Sequence, residues 1–348
     1  MSSSPVRFGL VGFGAWGQFH AQSITLNPQA QLAAIVAPSA ASREAAAKAY
    51  PAARIFSDHR QMLAETKLEI VDIVTPSNTH LEIATAALEA GCHVLLEKPM
   101  ALTIEDCQAI VRLAEERGLR LAVGHEMRLS PLWREIKSII DRGVIGAPQY
   151  VLVELLRKPY RLGASGWRYD RDRVGSWVLE EPIHFFDLAR WYLESAGEAV
   201  ELYARGNSRD PERPDLYDNF SAMLSWANGA YAVVSQTLAA FEHHQTVKVT
   251  GTKGAIWAGW SGAMDRTLES TSFLKVFDGT TLENVDCGKQ SGEVYELRTE
   301  IDRCVEMVRT GAAPVASGQD GVWSTALCLI AEESIRQKRP LPVGSMVR

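Results

Sequence analysis

A G-x-G-x-x-G pattern over residues 12–17 constrains the fold more than any other feature of this 348-residue chain. It follows a short apolar run and opens a stretch of helical period, which is the context of a strand–loop–helix connection. Glycines at this spacing let backbone N–H groups and a helix N-terminus approach a pyrophosphate without intervening Cβ atoms. An ordinary tight turn is the competing interpretation, but the flanking elements favour a dinucleotide-binding loop. The residues expected to contact the cofactor are Gly12, Phe13, Gly14, Ala15, Trp16 and Gly17.

Up to about Gly124, apolar runs alternate with Ala- and Glu-rich stretches of helical period. Such alternation is typical of βαβ units, and it predicts a Rossmann domain with a doubly wound parallel sheet over residues 1–124. The predicted strands are Val6–Val11, Ala33–Ala37, Ile70–Thr75, His93–Leu96 and Leu119–Val123. The predicted helices are Ser42–Tyr50, Thr79–Ala90 and Thr103–Arg117.

Beyond Gly124 the pattern changes to one helix, Leu132–Arg142, followed by many short runs with strand character. Asn228-Gly229 between two of these runs is a hairpin signal, which favours an antiparallel sheet. We therefore predict an α/β chain whose second domain, residues 125–348, is α+β with a large open, mainly antiparallel sheet. Its predicted strands are Gln149–Leu156, Val200–Ala204, Asn219–Trp226, Ala230–Thr237, Thr246–Thr250, Ala255–Ala258 and Phe273–Val276, and its predicted packing helices are Glu300–Val308 and Trp323–Gln337.

Composition excludes several classes of function. With 46% hydrophobic and 22% charged residues the chain is too apolar for disorder, and no apolar run reaches the ~20 residues of a membrane-spanning helix. The net charge of −6 argues against a nucleic-acid or anionic-lipid partner. Five cysteines without a Cys-x-x-Cys pair, and an N-terminal stretch without signal-peptide character, predict a cytoplasmic protein.

The segment after the second predicted strand lacks the carboxylate that normally accepts hydrogen bonds from the adenosine ribose. Its absence removes repulsion against a 2′-phosphate, and Ser39, Ser42 and Arg43 are potential donors to one. NADP is therefore permitted. The alternative is that Arg43 is a solvated helix residue and that NAD is bound without the acid, so NAD and NADP both stay open.

Two further motifs follow strands of the predicted parallel sheet: Thr-Pro-Ser-Asn-Thr-His at residues 75–80 and Glu-Lys-Pro at residues 97–99. Together with the glycine loop they resemble the Gfo/Idh/MocA family of oxidoreductases, which includes inositol, glucose and other sugar dehydrogenases. The resemblance implies that Lys98 contacts the nicotinamide ribose and the reacting hydroxyl, and that Glu97 faces the ribose. For His80, the last residue of the first motif, the alternative is a histidine at the start of a helix that contacts no ligand. The residues implied to line the nicotinamide side are Thr75, Pro76, Asn78 and His80.

Residues 180–187 resemble the D-x-x-x-H helix start of the same family, with His184 at the position of the catalytic histidine. Glu180 replaces the usual Asp, and Pro182 stands where Gly is common. Proline is favoured at the first position of a helix, so we expect a helix to begin at Pro182. The positive end of the helix dipole disfavours imidazolium, which keeps His184 available as a base. Glu180 is a candidate to orient the ring or to handle the proton; a buried structural role is the alternative for both side chains.

The stretch over residues 157–173 holds six basic and two acidic residues, a local charge of +4. Aromatic rings suit the apolar face of a sugar, and arginines suit a carboxylate, sulfonate or phosphate. A solvated loop whose arginines pair with acids elsewhere is an equal alternative. Arg128 matches the second arginine of a family pair whose first is replaced by Met127. The candidate substrate contacts are Arg128, Tyr160, Arg161, Trp167, Arg168 and His184.

These features predict an NAD(P)-dependent dehydrogenase that oxidises a hydroxyl of a sugar, sugar acid, sugar sulfonate or cyclitol. His184 takes the hydroxyl proton and Lys98 stabilises the alkoxide. No metal is expected, because the histidines are scattered along the chain. The adjacent pair, His243-His244, lies in a predicted strand, where neighbouring side chains face opposite sides. The family's open sheet implies a homo-oligomer, a dimer or tetramer. The alternatives are an NAD-dependent glycosidase using transient ring oxidation, a non-catalytic nucleotide-sensing regulator, and a reductase of aromatic or diol substrates.

Overall fold

A computed structural model describes residues 4–347 of the chain. These residues form two compact units. The first comprises residues 4–125 and Leu297–Val322, and the second comprises Glu126–Glu296 and residues 323–347. Within residues 4–347, no helix combines the length and apolar character required to cross a membrane.

The first unit contains a six-stranded parallel sheet in the order β3-β2-β1-β4-β5-β6. This is the strand order of the doubly wound dinucleotide-binding fold, so the predicted fold class is confirmed. Its elements are β1 (Val6–Val11), α1 (Ala15–Leu26), β2 (Ala30–Val36), α2 (Ala40–Ala49), β3 (Arg54–Phe56), α3 (His59–Glu65), β4 (Ile70–Ile73), α4 (His80–Glu89), β5 (His93–Leu96), α5 (Ile104–Glu116) and β6 (Leu121–Val123).

The second unit is built on a nine-stranded sheet in the order β14-β13-β12-β11-β7-β10-β9-β8-β15, in which only the β7–β10 pair is parallel. The helices of residues 131–192 are α6 (Pro131–Asp141), α7 (Arg171–Val174), α8 (Trp177–Glu180) and α9 (Pro182–Tyr192). The strands of residues 148–284 are β7 (Pro148–Arg157), β8 (Ala199–Asn207), β9 (Asn219–Trp226), β10 (Tyr231–Thr237), β11 (His243–Gly251), β12 (Ala255–Gly262), β13 (Ser270–Phe277) and β14 (Leu282–Asn284). The remaining elements are α10 (Glu293–Thr310), α11 (Gly318–Gln337), β15 (Leu341–Pro342) and α12 (Gly344–Val347).

The nine-stranded sheet has one covered face and one open face. Along β9, Phe220, Ala222 and Leu224 are buried while Ser221 and Met223 are exposed, as the period of two in a strand requires. Helix α9 packs against β7 and β10 on the covered face. The predicted hairpin is confirmed, because β9 and β10 pair in antiparallel fashion around Asn228 and Gly229.

The structure divides the chain differently from the sequence pattern at residues 297–322, which the prediction placed in the second domain. Ile301 and Cys304 of α10 are buried in the core that contains Phe8 of β1. In addition, the N–H of Val123 donates to the carbonyl of Ala316 at 3.0 Å. The distant segment therefore completes both the core and the sheet edge of the first unit.

Candidate active site

The glycine loop has the geometry that a pyrophosphate requires. Gly12 has φ +106°, and a Cβ there would lie 2.1 Å from the carbonyl oxygen of Val74. A Cβ at Gly17 would lie 2.1 Å from the carbonyl oxygen of Gly12, whereas the space beside Gly14 is open. No side chain caps the N-terminus of α1, and its first turn holds no acid. Because this end carries a positive partial charge, the loop fits a dinucleotide.

The side chains of the loop divide between the interior and the surface. Phe13 is buried and meets Tyr50 edge-on, with ring centroids 5.9 Å apart, so only its backbone remains for a cofactor. Ala15 is exposed, and Trp16 is half-buried. The indole Nε1 of Trp16 donates to Oε1 of Glu97 at 2.7 Å. This bond ties the glycine loop to the end of β5.

Glu97 belongs to a buried charged network that the sequence analysis missed. His20 of α1 lies between two carboxylates, with Nδ1 at 2.8 Å from Asp72 and Nε2 at 3.1 Å from Glu97. Both carboxylates can only accept hydrogen bonds when ionised, and an imidazolium satisfies both because it donates from its two ring nitrogens. The other carboxylate oxygen of Glu97 accepts the N–H of Lys98 at 3.2 Å. The contact of Glu97 with the ribose stays a prediction, and in the structure its carboxylate is committed to Trp16, His20 and the Lys98 backbone.

The pKa values of this network follow from its charges. Burial alone would lower the pKa of His20, but the charge of Asp72 and the two carboxylate hydrogen bonds raise it to about 10. Burial opposes ionisation of Glu97, yet the hydrogen bond and charge of His20 lower its pKa to about 2. Burial raises the pKa of Asp72 against the opposing charge of His20. The network is thus an ion triad whose cation is His20.

His80 bridges two loops rather than presenting a free ring. It is fully buried, with Nδ1 at 2.9 Å from the carbonyl of Pro99 and Nε2 at 2.9 Å from the carbonyl of Thr75. Burial lowers the pKa of this imidazole. Asn78 is exposed, and Lys98 is half-buried at the carboxyl end of β5. His80 therefore holds together the backbone segments that carry the two predicted cofactor motifs.

The segment after β2 keeps Arg43 close to the loop that normally carries the ribose-binding acid. Nη1 of Arg43 donates to the carbonyls of Ala37 at 3.0 Å and Pro38 at 2.6 Å. Within residues 4–347, its other guanidinium nitrogens make no hydrogen bond. Ser39 caps α2 by accepting from the N–H of Ser42, and its hydroxyl donates to that of Ser42 at 2.9 Å. Since the first turn of α2 has no acid, this corner suits an anion.

In the second unit, helix α9 begins at Pro182 as predicted, and His184 is buried in its first turn. Its Nε2 lies 3.7 Å from Oε1 of Glu126, a buried side chain in the 3-10 turn Glu126–Leu129. Two residues along that turn, Arg128 forms a buried bidentate ion pair with Asp187 of α9, with both N–O distances 2.7 Å. The Arg128 guanidinium therefore joins the turn to the helix, and its contact with a substrate stays a prediction.

Glu180 forms an ion pair with Arg168 of the basic loop. The Nε of Arg168 donates to Oε1 of Glu180 at 2.5 Å, and the guanidinium lies over the Trp167 ring at 4.9 Å. Burial opposes the charged form of Arg168, but the Glu180 charge raises its pKa. Arg168 therefore contacts Trp167, another predicted substrate contact, and Glu180, the predicted partner of His184.

Two further arginines of the basic loop, Arg157 and Arg161, also lie near acids. Arg157 donates to Glu181 at 2.5 Å and lies 3.4 Å from Asp265. Burial alone would raise the pKa of Glu181, but the charge of Arg157 holds it well below its usual range. Tyr160 is buried and donates to Gln236 at 3.1 Å. Arg161 is exposed, with Nη2 at 4.0 Å from Asp265. The loop's positive charge is therefore largely compensated by acids from neighbouring elements.

No group of three or more His, Cys, Asp or Glu side chains within the described part of the chain could hold a metal ion.

In the sequence, two signals pointed toward the buried partners of His20 and His184. Asp72 is the one charged residue in the run Ile70–Thr75, and an isolated acid in a buried strand requires a counter-charge. Glu126 directly follows the domain junction and lies within a run of buried residues, 121–130.

The parallel sheet and its glycine loop define a dinucleotide-binding domain. Residues 6–125 match the model of the oxidoreductase family with an NAD-binding Rossmann fold, and residues 133–257 match the Gfo/Idh/MocA C-terminal domain. The chain belongs to the Gfo/Idh/MocA family, as the sequence motifs predicted.

Named relatives span nearly the same length. Inositol 2-dehydrogenase of Rhizobium meliloti is 28% identical over 347 residues, covering 97% of this chain and 99% of that protein. Levoglucosan dehydrogenase of Pseudarthrobacter phenanthrenivorans is 29% identical over 291 residues, covering 72% of this chain and 73% of that protein. The crystal structure of an Agrobacterium radiobacter oxidoreductase with NAD+, L-tartaric acid and magnesium has a TM-score of 0.86 at 20% identity, covering 99% of this chain and 100% of that chain. At that identity the structural likeness concerns the fold.

Proposed function

We propose that this protein is an NAD(P)-dependent dehydrogenase that oxidises a hydroxyl of a sugar or cyclitol by reversible hydride transfer. The observation that carries the proposal is His184, a buried imidazole in the first turn of α9 beside a carboxylate. A regulator that only senses a nucleotide has no need of such a base. The names of the family relatives, inositol 2-dehydrogenase and levoglucosan dehydrogenase, support cyclitols and sugars as the substrate class.

The glycine loop holds the pyrophosphate of the dinucleotide through the backbone of Gly12, Gly14 and Gly17 and the N-terminus of α1. The nicotinamide, when bound, accepts the hydride. Lys98 at the carboxyl end of β5 places an ammonium next to the reacting oxygen, where it stabilises charge that develops as the proton leaves. His184 accepts that proton, because the helix N-terminus disfavours a resting imidazolium.

The charges of the basic loop favour a neutral substrate over an anionic one. Arg157 and Arg168 are paired with Glu181 and Glu180 at 2.5 Å, and an arginine engaged by a carboxylate is a poor receptor for a second anion. Trp167, next to Arg168, remains a candidate surface for the apolar face of a sugar ring. Arg161, which is exposed, is the candidate contact for a sugar acid or sulfonate.

Alanine at Lys98 or His184 should lower turnover by ~10²-fold or more while nucleotide binding stays nearly intact. The assay is a panel of sugars, cyclitols and sugar acids with NAD and with NADP, followed by the absorbance of reduced nicotinamide. Near-normal rates in either variant would refute its assigned role. Net hydrolysis of a glycoside without accumulation of reduced cofactor would instead identify the glycosidase alternative.

NADP is accepted as well as NAD in this proposal. Support comes from Arg43, which is held beside the loop after β2 by Ala37 and Pro38, and from the absence of an acid in the first turn of α2. A guanidinium at this corner suits a 2′-phosphate.

The open face of the nine-stranded sheet binds a second copy of the chain in this proposal. Large apolar side chains are exposed there, among them Met223 at 45% and Trp257 at 47%. The pairing register places both on one row across the sheet, through Val233, Leu152 and Lys248. Exposed apolar side chains gathered on one face are typical of a protein interface.

A further inference from the structure

A buried carboxylate next to the proposed base belongs to a segment distant in sequence from the D-x-x-x-H-like helix start. Oε1 of Glu126 lies 3.7 Å from Nε2 of His184, and both side chains are buried, at 7% and 5% exposure. This distance is within ion-pair range. Contacts of this kind are often long without substrate and shorten when the substrate is bound.

The position of Glu126 is fixed by a second contact between the same two segments. Arg128 lies two residues beyond Glu126, and Asp187 lies three residues beyond His184, on the same side of α9. Their bidentate ion pair, with both distances 2.7 Å, is buried at 5% and 2% exposure. A planar guanidinium–carboxylate pair restricts orientation as well as distance. The 3-10 turn is thereby joined to the first turns of α9, and Glu126 is kept beside His184.

Two other acids near the start of α9 form ion pairs with arginines. Glu180 accepts from Arg168, and Glu181 lies between Arg157 and His243, with its Oε1 3.2 Å from Nε2 of the latter. The side chain expected from the sequence to orient the base is therefore committed to an arginine. Glu126, by contrast, has its carboxylate within ion-pair range of the imidazole.

We propose that Glu126 is the positioning residue of His184 and stabilises the imidazolium that forms when His184 accepts the substrate proton. The inference rests on the proposed function, in which His184 is the base. The proton moves from the substrate hydroxyl to His184, the hydride moves to the nicotinamide, and Glu126 stays ionised throughout. A carboxylate within ~4–6 Å favours the charged form of its neighbour and shifts a pKa by about 1–3.

The test is the titration of His184 by NMR in protein labelled with 13C-histidine, with His184→Gln used to assign the signal. We expect Glu126→Gln to lower the pKa of His184 by about 1–3, and Glu126→Asp to lower it less, because the charge is retained on a shorter side chain. Glu180→Gln, which makes the same change in size and charge at the neighbouring acid, should shift the His184 titration less than Glu126→Gln does. An unchanged titration in Glu126→Gln, or an equal shift in Glu180→Gln, would overturn the inference.

Activity with myo-inositol and with the sugars of the panel separates this inference from the proposed function. If His184→Ala abolishes oxidation but Glu126→Gln leaves the His184 titration unchanged, only the role of Glu126 is refuted. If Glu126→Gln shifts the titration while His184→Ala retains full turnover, the pairing stands and the proposed function is refuted. Where Glu126→Gln does not fold, Glu126→Asp supplies the titration, and a pKa equal to that of the unmodified protein then counts against the inference.

Discussion

Replacing His20 by glutamine is expected to remove a pH-dependent part of the stability of the first unit. The pKa of His20 is about 10 in the folded chain against 6.5 for the free side chain. Because the folded-state value is the higher one, its stabilisation is complete below about pH 6.5 and is lost as the pH rises through about 10.

The magnitude follows from the difference of about 3.5 between these pKa values. A pKa difference of one corresponds to about 1.36 kcal/mol, so deprotonation of His20 removes about 5 kcal/mol of stabilisation. Removing the cation altogether leaves Asp72 and Glu97 as uncompensated buried carboxylates, which typically costs about 3–5 kcal/mol. The free energies of unfolding of the unmodified protein and of His20→Gln should therefore differ by about 3–5 kcal/mol near pH 6.5 and converge toward pH 10.

Urea unfolding at several values between pH 6.5 and 10 measures both curves. His93→Gln is the matched control, because burial lowers the pKa of His93 and leaves it neutral across this window. Its curve should run parallel to that of the unmodified protein. Parallel curves for His20→Gln would show that His20 carries no charge in the folded state and would refute the triad. On the acid side, the stabilisation from Glu97 is present above pH 4.5 and lost toward about 2, while the raised pKa of Asp72 acts with the opposite sign.

Three further predictions concern other parts of the molecule. Arg43→Ala should weaken binding of NADP by about 10-fold or more and that of NAD much less, because only NADP carries the phosphate; equal effects in fluorescence titrations would reject this preference. Arg128→Met should lower the free energy of unfolding by about 3–5 kcal/mol in urea, since Asp187 loses its buried partner; a loss under 1 kcal/mol would contradict the ion pair's structural role. Trp257→Asp should shift the mass measured by light scattering from oligomer to monomer, and an unchanged oligomer would exclude the open face as the interface.

Much of the fold could be predicted because its signals are local. The bounds of β1, β5 and β9 agree with the predicted strands. Each of these strands is either an apolar run or an alternation of apolar and polar residues that the sequence shows directly. Strand β3, Arg54–Phe56, has only three residues and leaves no periodic trace. The pairing of Leu297–Val322 with the first unit depends on contacts with residues such as Phe8, almost the full chain length away.

The site was less predictable, because ion pairs between distant segments leave no pattern in one sequence. The resemblance made Glu180 a candidate to orient His184, and this stays a prediction; the contacts of Glu180 with Arg168 and of Glu126 with the imidazole were not foreseen. His20 and Asp72 are 52 positions apart. Buried acids and histidines could be recognised as needing partners, while the choice among partners required the three-dimensional structure.

The central claim, that the chain is a sugar or cyclitol dehydrogenase using His184, is tested most directly by one measurement. The purified protein is incubated with NAD or NADP and the panel of sugars and cyclitols, and reduced nicotinamide and the oxidised product are quantified together for the unmodified protein and for His184→Ala. The account predicts equal amounts of ketone or lactone and reduced cofactor, with a loss of ~10²-fold or more in the variant. Turnover of the panel without reduced nicotinamide, or equal turnover in His184→Ala, would contradict it.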